Sequence, residues 1–373
     1  MTKKSVLIGA LALTAVLLTG CTAPAGGDDV PVNVEDAVAK KAAEFIAPYL
    51  ERPSSIGIEA PFVGEIPTDK EIYWLQCSSP ACAVVGGAIE EAVTSVGWTL
   101  KVVDAGLSPE SVKAAWNQAV LGDPDAVIAS GFTRAIYEPE LQALAERGVP
   151  VLNMTTAEAP ENGILSAQRW GPDFNDVGER LANYLLSLNG EQTNAVAFTI
   201  SAFPNIALVG EAFGETIAAQ CSSCSLDVVD LPVDALGGDL PNRVVTYLQA
   251  NPDVNSVYVG YSDMMVGLPT ALQAAGISKS VRFVTLDTSP TTSVYLENGD
   301  YLAAVDASPT YEMSFRHVDF LLRHFTGADT TPSNERNNPA WVITQDSLPT
   351  SADHFPLVVD YAEQYRTLWG LGK

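Results

Sequence analysis

What most constrains the fold is an alternation of short strand-like runs and helical patterns that continues almost unbroken from residue 70 to residue 326. Strand-like runs fall at Ile72–Gln76, Thr99–Asp104, Ala126–Ser130, Pro150–Met154 and Ile164–Gln168. The helical patterns between them are clearest in Val84, Val85, Ala88, Ile89, Ala92, Val93 and Val96, which recur along one face. A second series follows, with strands at Ala195–Ile200, Leu226–Leu231, Ser256–Gly260, Arg282–Leu286 and Tyr301–Val305. Helices at about 174–189, 206–220, 241–250, 263–275 and 309–326 separate these. Units of this kind demand parallel sheets covered by helices on both faces. Two series in one chain therefore predict an α/β protein of two doubly wound, Rossmann-like lobes joined by a hinge. Ligands of open parallel sheets bind beyond the carboxyl ends of the strands. Lobes that face each other there enclose a cleft able to close about the hinge.

The residues ahead of this alternation carry an address. Lys3 and Lys4, the uncharged run Val6 to Leu18 and the small pair Thr19-Gly20 before Cys21 resemble the bacterial lipoprotein signal. In that reading Leu18-Thr19-Gly20 is the lipobox and Cys21 the acylated residue; the competing readings are an ordinary secretory signal or a membrane anchor. The apolar run is shorter than the roughly twenty residues that span a bilayer. Two or more acyl chains hold a protein stably at a surface, so Cys21 predicts a protein anchored outside the cytoplasm to the cell membrane. The chain then divides into a signal (1–20), a flexible tether (21–34) and an N-terminal helix with an extension (35–68). The first lobe takes 69–171 and 308–337, the second 172–307 and 338–373.

Composition sets further bounds. The formal charge is -25, and losing Lys3 and Lys4 with the signal makes it -27. So acidic a surface repels phosphate backbones, which excludes nucleic acid as a partner. Of five cysteines, Cys21 is spoken for, leaving Cys77, Cys82, Cys221 and Cys224. Outside the cytoplasm an even set reads as disulfides, and of three connectivities the two local pairs, Cys77–Cys82 and Cys221–Cys224, need no long-range assumption. A four-cysteine zinc site would require pairs in different lobes to converge. A redox role for Cys221 and Cys224 would want a helix N-terminus, whereas this pair follows a helix.

Several ordered segments resemble the type I periplasmic substrate-binding proteins of ABC importers, in particular their sugar-binding branch. They are Gly86 to Ala92 with Gly97-Trp98, Arg147 to Val151, Val257 to Met265 followed by Ala271 to Gly276, Phe283 to Asp287, and Asn298 to Val305. The likeness spans about residues 70 to 345. Cys77 to Cys82, just after the first strand, also resembles a group of actinobacterial lipoproteins. The resemblance implies a solute receptor that closes on its ligand and hands it to ABC permease subunits, with no cofactor and no metal, working as a monomer.

Departures from the sugar pattern narrow the ligand. The family's aromatic first loop is replaced by Ser78-Ser79-Pro80-Ala81, its Asp-Arg pair after the fourth strand by Thr155-Thr156, its arginine ahead of the Gly-Phe helix by about Ala207, and the Asn of its Asn-Asp pair by Ser262. A buried hydroxyl left without a partner costs about 1–3 kcal/mol, so a common aldopentose or aldohexose fits poorly. The candidate contacts at strand ends are Ser78, Ser79, Phe132, Thr133, Thr155, Thr156 and Trp170 from the near lobe. Phe203, Asn205, Tyr261, Ser262, Asp263, Asp287 and Asp306 come from the far lobe. Asp287 stands out, because the family uses that aspartate to accept from ligand hydroxyls; Asp263 is equally suited to cap a helix. Basic candidates are few, Arg134 and Arg169 being the near ones, which points to a neutral or weakly polar solute with an apolar face.

Catalysis leaves no trace: there is no HExxH, GxSxG or Walker loop, and His317 and His324 lie seven apart on one helix. A regulator of the same fold would need a helix-turn-helix, for which the tether leaves no room. A lipid-anchored sensory receptor using the same cleft is the alternative to an importer subunit.

Overall fold

The computed structural model describes residues 36–349 and 354–372. The signal segment, Cys21 and the tether lie outside the described residues. The first element, α1 (Ala37–Leu50), is capped by the Asp36 carboxylate, which accepts from the Val38 and Ala39 amides. A first lobe follows as β1 (Glu71–Cys77), α2 (Pro80–Ser95), β2 (Thr99–Gly106), α3 (Pro109–Leu121), β3 (Ala126–Ser130), α4 (Glu138–Glu146), β4 (Val151–Met154) and β5 (Ile164–Gln168). A second is built from α5 (Gly171–Asn189), β6 (Asn194–Thr199), α6 (Pro204–Gln220), β7 (Ser225–Asp230), α7 (Leu240–Ala250), β8 (Ser256–Val259), α8 (Leu268–Ala274), β9 (Arg282–Leu286), α9 (Pro290–Asn298) and β10 (Leu302–Ala307). The chain returns to the first lobe as α10 (Thr310–Thr326) and α11 (Thr331–Asn334), crosses again for β11 (Trp341–Ile343) and ends in α12 (Tyr361–Leu368).

The sheets run β2-β1-β3-β4-β5 and β11-β10-β9-β8-β6-β7. All pairs are parallel except β10 with β11, where Val305 faces Ile343 and Ala307 faces Trp341. Central strands β3, β4 and β8 are buried along their whole length, which is why they read as mostly apolar runs. The edge strands β2 and β7 expose Val102 and Val228. The three-residue β11 was not foreseen, being too short to show a period.

Helix starts are fixed by local chemistry. Pro80, Pro109, Pro172, Pro204, Pro241, Pro269 and Pro290 each sit in the first turn of their helix, where the missing N–H is one the helix does not use. Ser79, Ser108 and Ser289 add side-chain caps. Such starts keep the loops short where strands end, so those loops gather at one end of each sheet. One helix differs from expectation: instead of 263–275 there is a 3-10 turn at 262–265 and then α8, because Gly267 at φ +76° breaks the run.

Lobe membership also differs at both chain ends. Residues 338–373 were assigned to the second lobe, yet Val358, Tyr361, Tyr365, Leu368 and Trp369 belong to the first lobe's core with Ile72, Trp74 and Phe315. The Trp369 ring stacks on Phe315 at 5.8 Å. The stretch 35–68 is likewise divided: Ala42 and Ile46 of α1 pack with Leu181 and Leu185 of α5, whereas Ile56, Ile58 and Phe62 enter the first lobe's core.

Candidate functional site

The candidate residues fall on the loops that leave the carboxyl ends of the strands, but several have local duties there. Ser78 donates to Asp104 at 2.6 Å, turning toward the edge strand, and Ser79 caps α2 by accepting from the Cys82 amide. Cys77 and Cys82 are joined by a disulfide, as are Cys221 and Cys224. The Cys77 amide donates to Ser130 Oγ at 3.1 Å, which ties the loops after β1 and β3 together. Phe132 is half-buried against the cluster that holds Trp116 and Tyr137, while Thr133 is exposed. Thr156 is buried and accepts from the Glu158 amide.

In the second lobe Phe203 and Tyr261 meet edge to face at 6.4 Å, both half-buried. Such pairs present a rigid apolar wall. Asn205 lies in the first turn of α6, half-buried, and Ser262 is buried. Asp263 caps no α-helix: it lies inside the 3-10 turn, and α8 takes Gly267 as its cap. Burial raises the Asp263 carboxyl above its ordinary range, the negative charge of Asp287 adds to this, and His354 opposes it. Burial, followed by the charges of Asp263 and Asp287, pushes the Tyr261 hydroxyl up to about 12.

The floor between the lobes is backbone that L-residues rarely adopt. Thr155 after β4, Arg169 after β5 and Asp287 after β9 have φ of 55°, 57° and 66°. A left-handed conformation in a non-glycine residue costs about 1–3 kcal/mol and clusters where function over-determines the geometry. Hydrogen bonds hold all three in place, from Thr155 N to Gln168 O, Thr156 N to Arg169 O and Asp287 N to Asp306 O. Gly131 is constrained by close approach instead, since a Cβ there would lie 2.2 Å from the Thr155 carbonyl oxygen.

Arg169 organises this floor. Its side chain is 5% exposed and its Nη1 donates to Asp287 Oδ1 at 2.6 Å and to Ser308 Oγ. Its guanidinium sits 5.3 Å from the Phe174 ring centre, and Nη2 is buried with no acceptor among the described residues. One cation thus links the last strand of the first lobe, the strand-end aspartate of the second and the crossing that leads to α10. Arg134, the other basic candidate, is held by Glu158 at 3.3 Å and lies 3.7 Å from Glu161. Both nearby cations are therefore neutralised by carboxylates.

Asp306 does not join this group. It is 2% exposed on β10 and makes a two-point pair with Arg180 of α5, at 2.6 and 3.1 Å, while Arg180 lies over the Tyr49 ring at 5.3 Å. Its carboxylate is taken up inside the lobe, because β10 is flanked on both sides and its side chains face helices. Trp170 is half-exposed, its amide donating to Asp173. Sequence reasoning placed Arg169 near the cleft without its partner, and missed Arg180, Ser308 and His354. The one available signal was Arg169-Trp170 directly after a strand in a chain with only 20 Lys and Arg. Among the described residues no group of three or more His, Cys, Asp or Glu is placed to hold a metal ion. No described helix is long and apolar enough to cross a membrane.

Comparison with known proteins agrees with this fold. The periplasmic binding protein domain family matches residues 66–329. No curated protein sequence matches the chain. Among solved structures, an ABC sugar transporter subunit from Rhodobacter sphaeroides is 20% identical with a TM-score of 0.64, over 74% of this chain and 98% of that one. A glucose-galactose binding protein from Geobacillus stearothermophilus is 18% identical with a TM-score of 0.65, over 75% and 99%. A periplasmic ribose ABC transporter from Conexibacter woesei is 18% identical with a TM-score of 0.64, over 76% and 95%.

Proposed function

This chain belongs to the periplasmic binding protein family, and from that premise we propose that it is the solute-binding lipoprotein of an ABC importer. It captures a small neutral or weakly polar molecule, sugar-like or with an apolar face, between the lobes, closes by hinge motion and presents the closed form to its permease. Acylation of Cys21 holds it outside the cytoplasm at the cell membrane. The role is binding, not catalysis.

The observation that carries this reading is the Arg169–Asp287 pair at the junction of the lobes. Asp287 keeps 30% of its side chain exposed, and its charge is balanced by the guanidinium, so it accepts from ligand hydroxyls without demanding a cation. Arg169 Nη2, buried and without an acceptor, is a donor that a ligand oxygen satisfies if closure brings the two together. Phe203 and Tyr261 supply the apolar wall, and in this reading Phe132, Thr133, Thr155 and Trp170 are the first lobe's contacts. With both near cations paired, an anionic solute finds no free counter-charge. Solved proteins of this fold are named for sugars, glucose-galactose and ribose, which supports a polyhydroxylated ligand class. A ligand that favours the closed form shifts the population toward it by its differential affinity.

The test is a thermal-shift panel of neutral polyols and sugars, amino sugars and sugar acids. A true ligand at 100 times its Kd stabilises by about 2.7 kcal/mol. Neutral solutes are expected to raise Tm, and Asp287→Ala to abolish the shift. A panel in which only sugar acids stabilise, or an Asp287→Ala protein that binds normally in calorimetry, overturns the reading. Labelled palmitate incorporation that survives Cys21→Ser removes the anchor from it.

A further inference from the structure

We propose that residues 36–62 form a strap that ties the two lobes together beside the hinge and limits how far they open. The inference goes beyond the receptor reading and does not depend on what the cleft binds.

One end of the strap is fixed to the second lobe. Ala42 and Ile46 of α1 lie in that lobe's core beside Leu181 and Leu185. The Asp36 carboxylate accepts from the Glu191 amide at 2.7 Å, and the Trp341 indole donates to the Leu50 carbonyl at 3.3 Å. The other end is fixed to the first lobe. Gln364 donates to the Ser54 carbonyl at 2.8 Å and accepts from the Ile56 amide at 3.1 Å. The fully buried Arg316 donates to the Ile56 carbonyl at 2.8 Å, Asn337 donates to the Gly57 carbonyl, and the Phe62 amide donates to the Leu368 carbonyl at 2.8 Å. Ile56, Ile58 and Phe62 are buried in the core. Gly57 fits only as glycine, at φ +78° with a would-be Cβ 2.0 Å from the Asn337 carbonyl oxygen.

Only Glu51, Arg52 and Pro53 separate the two anchorages, and even these are clamped. Arg52 donates to the carbonyls of Leu357 and Pro356 at 2.8 and 2.7 Å and lies 5.2 Å from the Trp341 ring centre. Four Cα steps from Leu50 to Ser54 span at most about 14 Å when fully extended. Any opening that would stretch this gap further must pull Ala42 and Ile46, or Ile56 and Phe62, out of a core. The strap therefore acts as a stop, and by narrowing the open ensemble it lowers the ordering cost of closure. The family match begins at residue 66, so the strap lies ahead of the matched segment.

The experiment measures interlobe distances in the ligand-free full chain by pulsed electron spin resonance. Labels carried on non-natural residues at the exposed positions Asn117 of α3 and Asn242 of α7 leave both disulfides intact. An eight-residue Gly-Ser insert between Arg52 and Pro53 adds roughly 15 Å of slack, and the same insert between Gly237 and Gly238 serves as control. The distance distribution is expected to broaden at least twofold toward longer separations in the strap variant, and to match wild type in the control. If the longer insert fails to fold, a four-residue insert between Glu51 and Arg52 poses the same question with about 11 Å of slack. A folded strap variant whose distribution matches wild type overturns the proposal, as does equal broadening in the control.

Discussion

Replacing Asp306 with alanine removes one half of a buried ion pair and strands the other. Asp306 is 2% exposed and Arg180 only 11%, with contacts of 2.6 and 3.1 Å between them. At about 4 Å between charge centres and an effective permittivity of about 20, the attraction lost is on the order of 4 kcal/mol. The Tyr49 ring, 5.3 Å from the guanidinium, contributes about 0.5–2 kcal/mol both before and after the change and so offsets none of the loss. Breaking a buried pair from one side costs about 3–5 kcal/mol overall. A unit the size of the second lobe shifts by about 2–4 °C per kcal/mol, so its Tm is expected to fall by roughly 6–20 °C. Scanning calorimetry of the ligand-free protein reads this directly. The double variant Arg180→Leu with Asp306→Leu is expected to regain most of the loss, because apolar replacement of a whole buried pair is often neutral. An Asp306→Ala protein that melts with wild type yet no longer binds solute would refute the reasoning and return Asp306 to the cleft.

Two buried groups make stability depend on pH in opposite senses. Glu312 is fully buried on α10, and burial pushes its carboxyl up to about 7 against the hydrogen bond from the Val358 amide and the charge of Arg52. The folded state holds this proton more tightly than the unfolded chain, so its contribution is full below about pH 4.5 and is lost as pH rises toward 7. Glu312→Gln is expected to match wild type at pH 5 in urea titrations and to exceed it at pH 8 by about 1–3 kcal/mol; equal curves at both pH values contradict this. His317, buried on the same helix, is lowered to about 3 by burial and, to a smaller degree, by the charge of Arg316, against a hydrogen bond with the Asn153 backbone. It folds neutral, so the stability it leaves intact above about pH 6.5 is lost as pH falls below that value. His317→Leu is expected to flatten the acid limb between pH 6 and 4, and an acid limb as steep as wild type counts against the assignment.

How much of this was legible beforehand follows from the range over which each signal acts. The strands and their parallel pairing were readable because β3, β4 and β8 are buried on both faces and are therefore mostly apolar, while prolines and serines mark the helix starts one residue at a time. The two local disulfides join cysteines only five and three positions apart. The residues at strand ends follow from the same local reading, so the loops bearing Thr155, Tyr261 and Asp287 were identified in advance.

Whether a side chain on those loops faces a solute or a partner was another matter. Asp287 and Asp306 look alike in sequence, each at the end of a strand, and only packing distinguishes them: one shares Arg169 at the edge of the cleft, 118 residues away in the chain, and the other is consumed by Arg180, 126 residues away. The same holds for the chain ends, where the segment after α1 shows no period and α12 was not read as an element. Their lobes are decided by which core has room for Trp369 and Ile56. Local pattern determines which element forms, since propensity, capping and period act over a few residues. Ion pairing, lobe membership and the strap are set by contacts between distant segments, which no periodicity encodes.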